Sequence, residues 1–264
     1  MIMIYRTDYH MHTVYSDGKA RPEDYLAAAL ASNLDEIGFS EHLTLHSEPA
    51  SWSMDPSLLP TYMSHIKMLK EKTRGLRVKT GLEVDYFSGK EDEIRSFIDG
   101  ARLDYVIGSV HYMGDESVDL GPGFYSGKDP DLLFSAYFEK VSEAVASGLF
   151  DIMAHIDLIR IYGYMKPEGK EVLYRKLAVT MKEHNVAYEV NTNGRNKALG
   201  DFYPDRRFLH IFREEGVPVC VNSDAHMPSR VAQHFDEAYT LLREAGYTEM
   251  AVFSDRERQM LPFK

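Results

Sequence analysis

Asp8-Tyr9-His10-Met11-His12 lies close to the start of the chain, and a turn signal, Ser16-Asp17-Gly18, follows it. In an extended strand, residues two apart point to one face, so His10 and His12 stand side by side, roughly 6.6 Å apart in Cα, and can close on one ion. A two-residue pattern is cheap by itself. Its weight depends on whether other strands of the chain finish in the same way.

Short apolar segments of strand character alternate with helical patterns along the whole chain. The strands are expected at Ile4 to His12, Glu36 to Ser40, Arg77 to Val84, Tyr105 to His111, Asp151 to His155, Ala187 to Asn191 and Val217 to Asn222. Helices are expected at Pro22 to Ser32, Pro60 to Arg74, Lys90 to Gly100, Asp131 to Ser147, Glu168 to His184 and Arg206 to Glu215. A last helix from Val231 to Ala245 precedes a weak strand at Met250 to Phe253. Pro22 with Glu23 and Asp24 is a good helix start, a proline in the first turn beside acids at the positive end of the dipole. Such alternation calls for a parallel sheet. The 264 residues show no linker or repeat, and an α/β barrel commonly takes about 250 as one unit, so residues 1–264 are expected to form a single domain. Three stretches, His46 to Ser57, Tyr112 to Asp129 and Asn193 to Asp205, are long enough to be binding loops.

Composition excludes several classes. With 44% apolar and 27% charged residues the chain is an ordinary globular one. No apolar run approaches the roughly 20 residues of a membrane helix, and Met1 to Ile4 is far shorter than a signal-peptide core. A cytoplasmic protein is expected, in keeping with the single cysteine, Cys220, which reads as a buried strand residue. The net charge of −11 argues against nucleic-acid binding, and the basic stretch from Lys67 to Lys79 reads as a solvated helix face. A small phosphorylated partner stays compatible with that charge. Nothing in the sequence specifies an oligomeric state.

Six of the seven strands run into metal-binding side chains: His10 and His12; Glu41-His42; Glu83 and Asp85; His111; His155; and Asp224 with His226. In a β/α barrel all C-terminal strand ends share one rim, where active sites are built. His46, His65, His184, His210 and His234 lie in helices or loops and read as ordinary structural residues; His46 sits in a candidate active-site loop. Nine donors (His10, His12, Asp17, His42, Glu83, His111, His155, Asp224 and His226) exceed the needs of one zinc, and a bridging carboxylate would let them serve three divalent ions. Three carboxylates against three such ions leave about +3, enough to attract a phosphate locally. The donor set suits Zn, Mn or Fe.

His10-x-His12 with Ser16-Asp17-Gly18, Phe39-Ser40-Glu41-His42, Gly81-Leu82-Glu83, Gly108-Ser109-Val110-His111, Met153-Ala154-His155 and Asn222-Ser223-Asp224-Ala225-His226 together resemble the ordered motifs of the PHP (polymerase and histidinol phosphatase) superfamily. Length, with Arg160 and Arg195, most resembles its stand-alone histidinol-phosphate phosphatases of histidine biosynthesis. The resemblance implies a distorted (β/α)7 TIM-like barrel and hydrolysis of L-histidinol phosphate to L-histidinol and phosphate. It also implies one ion on His10, His12, Glu83 and Asp224, a second on Glu83, His111 and His155, and a third on Asp17, His42 and His226. Asp85 would orient a ligand imidazole. A hydroxide between the ions bridged by Glu83 would be the nucleophile, since metal binding lowers the pKa of water to about 7. Arg160 and Arg195, and more weakly Lys197, would grip the phosphate. The leaving oxygen would take its proton from Asp17, His226 or metal-bound water. Glu48, Trp52, Asp115, Glu116 and Asp119 are available for the substrate amine and imidazole. Three other readings remain: a PHP phosphoesterase of nucleotides, an amidohydrolase, which would want a bridging lysine at Glu83, and a non-enzymatic metal-binding protein.

Overall fold

The computed structural model describes residues 5–48 and 50–263. Seven parallel strands form one sheet in chain order: β1 (Thr7–Asp8), β2 (Glu36–Leu43), β3 (Arg77–Asp85), β4 (Tyr105–Ser109), β5 (Ile152–Met153), β6 (Ala187–Asn191) and β7 (Val219–Asn222). The crossovers are α1 (Pro22–Ala31), α2 (Leu59–Lys72), α3 (Glu91–Asp99), α4 (Pro130–Ala146), α5 (Glu171–Glu183) and α6 (Leu209–Glu215), with α7 (Phe235–Glu244) after the last strand. This is an α/β, TIM-like barrel, nearly closed. No helix among the described residues is long and apolar enough to cross a membrane.

The seam between β7 and β1 is built by side chains. Tyr9 N donates to Asn222 Oδ1 at 2.9 Å and Ser223 N to the Asp8 carboxylate at 2.9 Å, after which Met11 and Ala225 form an isolated parallel bridge. These contacts satisfy amides that a regular ladder would otherwise hold. They also explain why β1 is shorter than the expected segment. Its ladder covers only Thr7–Asp8, and beyond it the chain is shared between Ser40 on one side and Ala225 on the other. Ile4, the expected first residue, lies outside the described residues.

Other boundaries differ for local reasons. Residues Arg206–Phe208 wind as a 3-10 turn capped by Asp205, so α6 begins only at Leu209. Ala232 and His234 have φ of 54° and 58°, which excludes a helix starting at Val231. The strand at Met250 to Phe253 exists as β8 (Glu249–Ser254), but it pairs antiparallel with β9 (Glu257–Pro262), which the sequence pattern did not announce. Its two-residue turn, Asp255-Arg256, holds φ of 49° and 64° without a glycine. The Arg256 guanidinium is clamped by Asp151 at 2.9 and 3.0 Å, so a tertiary ion pair replaces the usual Asn-Gly chemistry.

The barrel interior is packed around Tyr105, which is fully buried and donates to the carbonyls of Tyr9 and Phe39. Gly38 and Gly81 leave room for its ring; a Cβ at Gly81 would stand 2.3 Å from Tyr105 Cε2. Gly81→Ala is therefore expected to cost about 1–3 kcal/mol in urea unfolding through overpacking. Gly123→Ala, with nothing within 4 Å, should stay within about 0.5 kcal/mol. Equal effects would refute this packing.

Candidate metal centre

β3 carries Glu83 to the centre of the barrel mouth, where its carboxylate is fully buried. Oε2 lies 3.2 Å from His10 Nε2, 3.5 Å from His12 Nε2 and 2.6 Å from His42 Nδ1; Oε1 lies 3.1 Å from His155 Nε2 and 3.8 Å from His111 Nε2. Asp224 Oδ1 stands 3.7 and 3.4 Å from the same Nε2 atoms of His10 and His12, and 3.5 Å from His226 Nδ1. Asp17 reaches His42 at 3.7 Å and His226 at 3.3 Å. All nine expected donors therefore meet in one cluster.

Local backbone features make this convergence possible. Gly18 lets the turn after His12 fold onto the strand end, since a Cβ there would sit 2.0 Å from the His12 carbonyl oxygen. Asp224 takes a left-handed φ of 49° that turns the chain as it leaves β7.

Overlapping sets of donor atoms lie within 4.8 Å of one another: His10, His12 and Glu83; Glu83, His111 and His155; His12, His42 and His226; and His10, His155 and Asp224. The chemistry of the atoms fits metal ions. His10 Nε2, His12 Nε2, Glu83 Oε2 and Asp17 Oδ1 are buried without a hydrogen-bond partner among the described residues, an arrangement that a cation would complete. The first two sets are the cores of the first two expected ion sites. At the third, His12 stands with His42 and His226, and Asp17 reaches the same two imidazoles with its two oxygens, at 3.7 and 3.3 Å.

Behind these donors stand three more buried carboxylates. Glu189 of β6 lies 3.0 Å from His10 Nδ1 and accepts from His155 N, Asn191 Nδ2 and Asn222 Nδ2. Asp85 accepts from His111 Nδ1 at 2.7 Å. Glu41 accepts from Thr13 N, Thr13 Oγ1 and Ser16 Oγ, holding the turn that carries Asp17. The count of three carboxylates, and the surplus of about +3, is thus revised. With Glu41, Asp85 and Glu189 fully ionised, six carboxylates would balance three divalent ions, and attraction of a phosphate would come from direct approach to the ions. Glu189 was missed because its strand ends on no histidine. The available signal was an acid at the centre of the apolar strand Ala187-Tyr188-Glu189-Val190-Asn191.

The imidazoles are held in different protonation states. Burial, with His42 and His226 beside it, pushes His12 down to about 3, leaving a free lone pair. Burial opposes a proton on His111, but Asp85 and Glu83 outweigh it and lift the group to about 10. Burial likewise opposes the charges on Glu83 and Asp224, yet the surrounding histidines hold both well below the usual carboxylate range. Ions entering this cluster would displace protons.

A cavity of about 130 Å³ opens on the cluster, lined also by Trp52, Asp119, Leu120, Leu158, Ile161, Lys197 and Tyr203. Of the three cations expected at the phosphate, only Lys197 lines it. Arg160 is buried, with Nη1 2.7 Å from Asp157 and Nη2 3.1 Å from Asp205, and its Nε has no partner among the described residues. Arg195 pairs with Glu237 and lies over the Phe202 ring. Both guanidiniums are held by carboxylates because each extends into a patch of acidic side chains beside the rim. Trp52 packs edge-on against His42 and His111. Glu48, Asp115 and Glu116 line a separate outer depression together with His46 and Tyr112.

The profile of the PHP domain matches residues 8–193. The chain belongs to the PHP family. It is 32% identical to a probable histidinol-phosphatase of Deinococcus radiodurans, over 97% of this chain and 98% of that one. It is 30% identical to the histidinol-phosphatase of Lactococcus lactis, over 94% of each. Among solved structures, it is similar to the histidinol phosphate phosphatase of L. lactis, crystallised with zinc, L-histidinol and phosphate, at a TM-score of 0.87 and 27% identity, covering 97% of this chain and 100% of that one.

Within this PHP barrel, Glu189 lies against His10 Nδ1 from behind, so its charge would set the basicity of His10 toward an ion. Glu189→Gln is expected to weaken metal affinity about 10- to 100-fold, measured by competition with a chelator. Wild-type affinity would show that the residue only fills space.

Proposed function

We propose that this protein is a metal-dependent phosphomonoesterase that hydrolyses L-histidinol phosphate to L-histidinol and phosphate in histidine biosynthesis. The observation that carries the reading is the cluster of nine donors with Glu83 at its centre, opening on a cavity whose other walls supply one cation, one carboxylate and apolar surface. The L. lactis relative, crystallised with both halves of that substrate, supports the same chemistry.

The ions would be held by His10, His12, Glu83 and Asp224, by Glu83, His111 and His155, and by Asp17, His42 and His226. Bound there, zinc, manganese or iron supplies Lewis acidity, lowering the pKa of water and neutralising phosphoryl oxygens. The chain's own residues do the rest. Lys197 faces the cavity and receives the phosphate as a point charge. Arg195, one-third exposed, joins by exchanging the Glu237 carboxylate for phosphate. Arg160 retains Asp157 and Asp205 and fixes the turn from which Leu158 and Ile161 reach the cavity. Asp17 and His226 keep 30% and 25% of their side chains exposed; against the cost of burial, the neighbouring histidines hold Asp17 ionised while Asp17 and Asp224 favour a proton on His226, so of the two His226 would pass a proton to the leaving oxygen at the mouth. Asp119 provides the acceptor for an ammonium or imidazole N–H, and Trp52, Leu158 and Ile161 provide the apolar surface for the ring.

A phosphorylated metabolite stays in the compartment where it is made, and the cytoplasm is the proposed site of action. A nucleoside monophosphate fits this wall less well, because its leaving nucleoside brings no ammonium to meet Asp119.

Phosphate release from L-histidinol phosphate is expected to exceed that from nucleoside monophosphates and sugar phosphates at least tenfold in kcat/KM. Comparable turnover of a nucleotide would contradict the substrate while leaving the phosphoesterase. Lys197→Ala should lower kcat/KM about ten- to a hundredfold, the value of one charge-assisted contact of roughly 1.5 to 3 kcal/mol, with metal content intact. Arg160→Ala should additionally lower stability by about 3 kcal/mol, since it strands buried carboxylates; an unchanged urea midpoint would contradict the buried pairing.

A further inference from the structure

Tyr203 is held rigidly beside the metal ligands. Its backbone exchanges two hydrogen bonds with Asn191 at the end of β6, at 2.7 and 3.1 Å. Its ring lies against Gly194, where a Cβ would meet Cε2 at 2.9 Å, and edge-on to His155, with centroids 6.2 Å apart. The side chain is 1% exposed and lines the same cavity as His155, Asp224 and Lys197.

Its hydroxyl has no hydrogen-bond partner among the described residues. The other deeply buried tyrosines show how unusual that is: Tyr9, Tyr62, Tyr105, Tyr137 and Tyr174 each donate to a carboxylate or carbonyl. Tyr239, which also lacks a partner, lies outside the cavity against Arg6 and Phe263. A buried donor left unmade is destabilising and calls for an occupant. A tyrosine keeps its proton at neutral pH, so that proton is available to donate.

We infer that the Tyr203 hydroxyl donates a hydrogen bond to the phosphoryl group of the substrate, an inference that rests on the phosphomonoesterase reading above. The phosphoryl oxygens are the natural acceptor because Tyr203 stands on the His155 wall, among the metal ligands, whereas the alcohol part is received by Trp52 and Asp119. A phenol meeting an anionic oxygen makes a charge-assisted bond, stronger than one to a neutral acceptor.

Tyr203→Phe, prepared as the metal-loaded full chain, tests this. Removing an unpartnered hydroxyl should leave metal content unchanged and the melting temperature equal or higher. It should also raise the inhibition constant of inorganic phosphate about tenfold. The kcat/KM should fall about tenfold for L-histidinol phosphate and for p-nitrophenyl phosphate alike, with inhibition by L-histidinol within twofold of wild type. Unchanged phosphate inhibition and kinetics would overturn the inference by showing that the hydroxyl rests on water. A lowered melting temperature with unchanged phosphate inhibition would overturn it by revealing an internal partner. Failure of the wild type to hydrolyse any phosphomonoester would be a separate result, overturning the functional reading and with it this inference.

Discussion

The Glu83 carboxylate is fully buried, and five imidazoles close on its two oxygens at 2.6 to 3.8 Å. Taking a carboxylate out of water costs several kcal/mol unless positive charge meets it. Here that charge comes from protons on the histidines or from ions that replace them. Every imidazole must then be oriented, and the fold supplies a partner behind several of them: Glu189 for His10, Asp85 for His111. The buried acids at the barrel mouth are consequences of placing Glu83 there.

The same constraint shapes the backbone. A regular eighth strand or a full β7–β1 ladder would fix the strand ends where His10, His12 and Asp224 must tip toward Glu83. The seam is instead left to the side chains of Asp8 and Asn222, and Asp224 adopts a left-handed conformation. Such local cost persists where surrounding contacts over-determine it. The opposite end of the barrel is conventional, with apolar packing on Tyr105 and the β8–β9 hairpin bridged to the chain start at Tyr5 and Phe263.

Much of this was legible in the sequence. The 11 histidines are a small and distinctive set, and the position of six of them at strand ends follows from the β/α alternation alone. Glu189 was not read, because its role is to support His10 from a strand without a ligand of its own. The seam was unreadable because Asn222 and Asp8 replace a backbone pattern with side chains. The arginines show a further limit: the rotamer of Arg160 is set by Asp157 on its own turn and by the distant Asp205, and that of Arg195 by Glu237 of α7, which sequence spacing does not announce. The Asp255-Arg256 turn likewise depends on Asp151, more than a hundred residues away.

Elemental analysis of metal per chain, on wild type and Glu83→Ala loaded and purified side by side, tests the central role of Glu83 most directly. A multinuclear site bridged by this carboxylate predicts about three ions in the wild type, at least one fewer in Glu83→Ala with the far-ultraviolet dichroism unchanged, and loss of phosphate release. A full complement of ions in Glu83→Ala, with undiminished turnover, would contradict the account.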